Sequence, residues 1–172
     1  ALRYAPQHGL PELRKAWAEH IAQDGSIHGP SSLPVVTAGI SHALAICMEL
    51  FTSPQQPLVV AAPFWDNYEN LATLKTGAKI HSYPFFNREN RFNLQELSKI
   101  LKQLEGTATI LLNFPANPTG CSPFPEEVDA LLQVLEQHPH PLCIICDDAY
   151  NGLYYQPDLY GHSLFGVLSM RL

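Results

Sequence analysis

Residues 111–123 read LLNFPANPTGCSP, and the fold turns on how they are understood. An apolar run, Ile110 to Leu112, has the character of a buried strand. It closes on eight residues, 113–120, that hold two asparagines, two prolines and a glycine. Pro115 and Pro118 fix φ and remove backbone donors. Asn117, just before Pro118, is held extended, and Gly120 permits a tight bend. Such a composition suits an ordinary turn, and taken alone the turn reading is sufficient. It also suits a loop stiffened to aim one side chain, Asn117. After the loop, PEEVDALLQVLEQH (125–138) reads as a helix with Glu126 and Glu127 in its first turn, the end that favours negative charge. PLCIICDDAY (141–150) then contains another apolar strand.

The same alternation extends toward the N-terminus. ATILLNF (108–114) is preceded by the periodic helix LQELSKILKQL (94–104), whose Leu94, Leu97, Leu101 and Leu104 share a side. Before it come a polar loop, NRENRFN, and a strand, KIHSYPF (79–85). WDNYENLATLKTG (65–77) reads as a helix following the strand PLVVAA (57–62). PVVTAG (34–39) reads as a first short strand, with the helical run SHALAICMELF opening at Ser41. LPELRKAWAEHIAQ (10–23) is amphipathic, with Leu10, Leu13, Trp17 and Ile21 on one side, Pro11 at its start and Gly25 as its stop. GSIHGPSS is a loop, and the segment from Gln156 onward reads as loop plus a short helix. Five short strands separated by helices predict an α/β fold, a three-layer α/β/α arrangement around a mostly parallel sheet.

Composition narrows the class. The 172 residues are 46% hydrophobic and 15% charged, enough for one domain with a real core. A net charge of −6 and the lack of any Lys/Arg run speak against a nucleic-acid partner. No apolar stretch is long enough to span a bilayer, and ALRYAPQHGL does not read as a signal peptide. Cys143 and Cys146 form a C-x-x-C, but it sits within a continuous apolar strand. Residues three apart on a strand point to opposite faces, and no second ligand pair exists. Reduced, buried thiols in a cytoplasmic protein are therefore expected instead of zinc or redox chemistry.

In open parallel sheets ligands collect at the carboxyl ends of the strands. Four such places carry chemistry here: Gly39-Ile40-Ser41 opening a helix, Trp65 with its aromatic neighbours, Asn117 in its stiff loop, and Asp147 with Tyr150. Together they offer an anion-binding helix start, an aromatic face, an amide, a carboxylate and a phenol. Each also has a purely structural reading. Ser41 suits an N-cap, Trp65 and Tyr150 suit packing, and Asp147 suits a cap or an ion pair. Their joint occurrence, in this order on this kind of sheet, shifts the balance toward a site.

These residues fall in segments that resemble the class I/II aminotransferases of the pyridoxal-phosphate-dependent aspartate aminotransferase superfamily. YAPQHGLPELRKA is similar to the family's opening motif, TAGISHAL to its phosphate-binding turn, and PFWDNY to its ring-stacking segment. NFPANPTG and CDDAY match its two most specific motifs. The resemblance implies a pyridoxal 5'-phosphate cofactor, with Asp147 beside the ring nitrogen, Asn117 and Tyr150 donating to the ring 3'-oxygen, and Trp65 stacked on its face. It places the phosphate on Ile40, Ser41 and the Ser41 hydroxyl. Tyr4 would reach the phosphate of a neighbouring subunit, which implies a homodimer with amino-acid and 2-oxo-acid substrates. The family's Schiff-base lysine is not matched: Lys15, Lys75, Lys79, Lys99 and Lys102 all precede Asn117. The substrate-carboxylate arginine, N-terminal arm and C-terminal small domain are not matched either. Residues 1–172 are therefore expected to be part of a cofactor-binding large domain, inactive alone, with no catalytic residue of their own.

Other readings stay open at this level. Carbon–sulfur lyases and decarboxylating synthases share the motifs, and a non-catalytic scaffold would preserve them. LCIICDD also resembles the Walker B strand of a P-loop NTPase, but no G-x-x-x-x-G-K-[ST] precedes it.

Overall fold

The computed structural model describes residues 4–23 and 31–171. Its elements are α1 (Pro11–Gln23), α2 (Ile40–Phe51), β1 (Leu58–Ala62), α3 (Asn67–Glu69), β2 (Ile80–Pro84), α4 (Leu94–Gln103), β3 (Ala108–Asn113), α5 (Pro125–Glu136), β4 (Leu142–Asp147) and α6 (Leu164–Arg171). The strands form one four-stranded parallel sheet in the order β2-β1-β3-β4. From β1 the chain runs outward to β2, then returns to build β3 and β4 on the other side. The reversal leaves a crevice between the carboxyl ends of β1 and β3, where such sheets bind ligands.

Alternation along the strands builds two cores. Val59, Ala61, Ile110 and Leu112 face α4, α5 and α6, meeting Leu97, Leu101, Val128, Leu131 and Leu168. Leu58, Val60, Leu111 and Ile145 face Leu44 and Met48 of α2 and Tyr68 of α3. Helices thus cover both faces, the expected three layers. Burying each such Leu or Ile contributes about 1.5–3 kcal/mol. Leu97 and Leu101 of α4 are buried and Leu94 and Leu104 pack beside them, while Lys99 pairs outward with Glu96 at 3.4 Å. The entry of α5 is fastened by Glu127. Its carboxylate accepts from the Phe124 amide (2.8 Å), the Phe92 amide (3.0 Å) and Arg91 Nε (2.9 Å), tying the loop before α4 to α5. Arg171 of α6 forks onto Glu136 at 2.8 and 2.9 Å.

Three expectations are corrected. PVVTAG does not form a strand: residues 34–39 are irregular, and Val35 and Val36 are exposed. Their backbone groups are engaged elsewhere, Val36 N donating to His8 O at 3.0 Å and Pro34 O accepting from Arg14 at 2.5 Å. A β-branched run becomes a strand only beside a partner, and no described strand lies next to this one. Second, the four cysteines expected to be buried are only partly so; around α1, Leu10, Leu13 and Trp17 are likewise about half exposed (58, 48 and 53%). Third, the helix expected from Trp65 begins at Asn67 as a single turn and passes into a π-helical turn, Asn70–Leu74. The expected stop at Gly25 lies outside the described residues.

Cys143 and Cys146 do point to opposite faces. Cys146 packs against the core under α5 and α6, whereas the Cys143 thiol is raised by burial first and then by Cys47 of α2, which packs into the core on the other face, against the lowering effect of Thr109. All four thiols are free. Among the described residues no helix is long and apolar enough to cross a membrane.

Candidate functional site

At the carboxyl ends of β1, β3 and β4, Ile40, Trp65, Asn117, Asp147 and Tyr150 line one cavity of about 160 Å³. These five come from four segments that only the sheet brings together. Larger cavities exist, including one of about 630 Å³ between α1 and the stretch after β4. The smaller one is distinguished by the convergence of an amide, a carboxylate, phenols and an indole in the crevice where the strand order reverses.

Asp147 ends β4 and is 4% exposed. Tyr68 donates to its Oδ2 at 2.5 Å, and the Ala149 amide donates to Oδ1 at 3.1 Å. A carboxylate has about four acceptor sites, so capacity remains for a donor in the cavity. Tyr68 is 1% exposed. Burial first, then the bond to Asp147 and its charge, push the Tyr68 hydroxyl far above the usual phenol range, so it is a permanent donor. Asp148 points elsewhere. It accepts from Ser163 at 2.7 Å and borders the cavity under α1. Burial raises the Asp148 carboxyl above the ordinary range.

Trp65 is half-buried and meets Tyr68 edge-on, with ring centroids 5.5 Å apart at 90°. Tyr68 in turn lies beside Phe64 at 6.3 Å and 29°. Asn117 sits in the loop after β3, between Pro115 and Pro118. Gly120 (φ 70°) closes that loop by donating to Ala116 O at 2.6 Å, and Ala116 N bonds Cys121 O at 2.8 Å. The peptide bonds before Pro63, Pro115 and Pro118 are cis. Tyr150 is exposed at the rim.

The helix start differs in detail from expectation. Gly39, with φ 95° and ψ 172°, occupies the N-cap of α2, so Ser41 lies inside the first turn and does not cap it. That φ is in the region glycine tolerates. Ala43 N bonds back to Gly39 O at 3.2 Å, and the amides before it belong to the turn that has no intrahelical acceptor. Ile40 lines the cavity, whereas Ser41 is exposed and does not. Tyr4 is fully exposed and lies outside the cavity wall.

Two polar residues of the cavity, Tyr68 and Asn113, had no assigned part in the sequence reading. Tyr68 follows Trp65 by three positions, a spacing that shares a helix side, which was its available signal. Asn113 faces Asp147 directly across the β3–β4 ladder, and that pairing leaves no mark in the sequence.

A parallel sheet covered by helices on both faces, with a polar, aromatic-walled crevice at its switch point, defines an α/β domain of the open-sheet class. The chain belongs to the aminotransferase class I and II family, whose model matches residues 1–167. It is 29% identical over 153 residues to the aspartate aminotransferase of Bacillus subtilis, covering 89% of this chain and 38% of that protein. A probable aspartate/prephenate aminotransferase of Thermus aquaticus is 29% identical, over 90% and 39% of the two lengths. Among solved structures, Thermus thermophilus aspartate aminotransferase with maleate superposes with a TM-score of 0.77 at 23% identity, covering 97% of this chain and 42% of that one. This last likeness concerns the fold. The chain spans about two fifths of the length of the curated relatives it matches.

Proposed function

We propose that the chain forms the pyridoxal-phosphate-binding part of an aminotransferase that moves an amino group between an amino acid and a 2-oxo acid. We place it in a homodimeric, cytoplasmic protein of amino-acid metabolism. The observation that supports this most is the convergence of Ile40, Trp65, Asn117, Asp147 and Tyr150 on one cavity at the switch point. The donor set fits the cofactor: a flat indole for a planar ring, a buried carboxylate for a ring nitrogen, two donors for a ring oxygen, and a helix start for a phosphate.

Bound there, the cofactor supplies an electron sink. Asp147 holds a proton at the ring nitrogen through its opposite charge. The always-protonated Tyr68 keeps that carboxylate oriented. Asn117 and Tyr150 would donate to the ring 3'-oxygen, and Trp65 would cover one ring face. The start of α2 would hold the phosphate on the amides of Ile40, at the cavity wall, and Ser41, with the exposed Ser41 hydroxyl meeting it from the solvent side. Tyr4, fully exposed, serves the phosphate of a second copy. No lysine lines the cavity, and Lys75 and Lys99 pair with Glu49 and Glu96. The amine that the chemistry requires is therefore taken to come from outside these residues.

The test is retention of cofactor by the full-length protein after gel filtration, read from visible absorbance, followed by assays with paired amino and 2-oxo acids. Asp147→Ala is expected to abolish most activity and Asp148→Ala to cost far less. A protein that retains no cofactor, or the reverse ranking of the two variants, overturns the proposal.

A further inference from the structure

Asn113 closes β3 and its side chain is used at both ends. Nδ2 donates to the backbone carbonyl of Asp147 at 2.8 Å, and Oδ1 accepts the backbone N–H of Asn117 at 2.7 Å. We propose that Asn113 is a positioning residue that locks Asn117 and Asp147 into one rigid frame, so that the amide and the carboxylate present a fixed geometry to the bound ring. The proposal rests on the cofactor reading above.

The chemistry of the two partners explains why the residue is an asparagine. One partner is a carbonyl and needs a donor; the other is an N–H and needs an acceptor. A primary amide offers both on one short, planar group. An aspartate offers only acceptors, and would set a negative oxygen against the Asp147 carbonyl. A leucine or alanine offers neither, leaving Asn117 N–H without its acceptor in a half-buried loop. That N–H matters because the loop has few other ways to be held: Pro115 and Pro118 carry no donors, and the loop's remaining backbone bonds join Ala116 to Gly120 and Cys121. The Asn113 amide is therefore the link from the Asn117 backbone to the sheet. Because Asn113 is paired with Asp147 in the ladder, the same amide reaches both functional residues without a change of rotamer. Groups that must meet a ligand together gain from being fixed before it arrives.

The test uses the full-length protein. Cofactor affinity is measured by quenching of tryptophan fluorescence with pyridoxal 5'-phosphate, together with the pH titration of the bound cofactor's absorbance. Asn113→Ala is expected to weaken binding about ten-fold and to displace the absorbance titration. In the Asn113→Ala, Asn117→Ala double variant the second substitution should add little, because residues acting as a unit are not additive. If Asn113→Ala does not fold, Asn113→Asp decides: it keeps the shape and the acceptor, and a loss of several-fold in affinity with a wild-type circular dichroism spectrum supports the proposal. Unchanged affinity and titration in a folded Asn113 variant overturn it, as do additive losses with Asn117→Ala, while cofactor binding by the parent protein stands. A parent protein that binds no cofactor overturns the underlying reading and this proposal with it.

Discussion

The Tyr68–Asp147 hydrogen bond is the most exacting single contact in the site, and Tyr68→Phe isolates it. The substitution keeps the ring, and with it the edge-on contact to Trp65 and the packing on Phe64. It removes one hydroxyl from a position 1% exposed, opposite a carboxylate 4% exposed. Oδ1 keeps the Ala149 amide, but Oδ2 loses the Tyr68 donor at a residue only 4% exposed. Hydrogen bonds to charged groups contribute about 1.5–3 kcal/mol, and the depth of burial favours the middle of that range, about 2 kcal/mol. A loss of about 2 kcal/mol lowers the folded-to-unfolded ratio roughly 30-fold. With a urea m-value of about 2 kcal/mol/M it lowers the unfolding midpoint by about 1 M. The assay is urea unfolding followed by circular dichroism and by tryptophan fluorescence, which must coincide for the analysis to apply. Tyr68→Ala, which also loses the ring, should cost about 3–5 kcal/mol. A Tyr68→Phe midpoint within about 0.2 M of the parent, at equal m, refutes the reasoning. The short bond would then contribute nothing net, and Asp147 would be held by its backbone and Ala149 alone.

Asp148 supplies a pH test of opposite sign to the usual carboxylate. Its folded pKa is raised, by burial first, against the lowering effect of the Ser163 hydroxyl and with a further raise from Asp147. The folded state therefore binds this proton more tightly than the unfolded chain, so stability declines as pH rises from about 3.9 through the raised folded value. Asp148→Asn, which can still accept from Ser163, should flatten that decline. It should unfold at higher urea than the parent at pH 7 and at the same urea near pH 3; equal midpoints at pH 7 would count against burial as the cause. Borohydride reduction of the 172-residue chain with pyridoxal phosphate, followed by peptide mapping, should give only scattered, low-level labelling of surface lysines such as Lys99 and Lys102. One stoichiometric pyridoxyl-lysine would contradict the absence of a lysine from the cavity wall.

Much of the layer structure was legible because burial writes itself into short-range patterns. PLVVAA and ATILLNF became the central strands because a strand covered on both faces needs apolar residues at consecutive positions, while KIHSYPF and PLCIICDDAY became the partly exposed strands at the two edges. Leu94, Leu97, Leu101 and Leu104 became the inner side of α4 because their spacing matches the helical turn. The side chains at the strand ends could be listed before the fold was known, since an all-parallel sheet presents every carboxyl end along one rim. PVVTAG shows the limit of that logic. Its residues carry strand character, but a strand is a pairing between segments, and in the described structure the groups that would pair are held by His8 and Arg14. The half-exposed side of α1 shows the same limit: periodicity states which side is apolar, not what covers it.

The α/β class, the nature of most elements and the residue types gathered at the rim could be read along the chain, because these depend on periodicity and on local chain stiffness. Asp147 was already singled out in the sequence, but its partners were not: the folded chain set Asp148 on Ser163, Tyr68 on the Asp147 carboxylate, and Gly39 in place of Ser41 as the cap of α2. It alone set Asn113 between Asn117 and Asp147. These are contacts between residues 34 and 79 positions apart in two of the cases. Their geometry follows from strand register, and register is fixed by the summed packing of two cores, which no single stretch of the chain encodes.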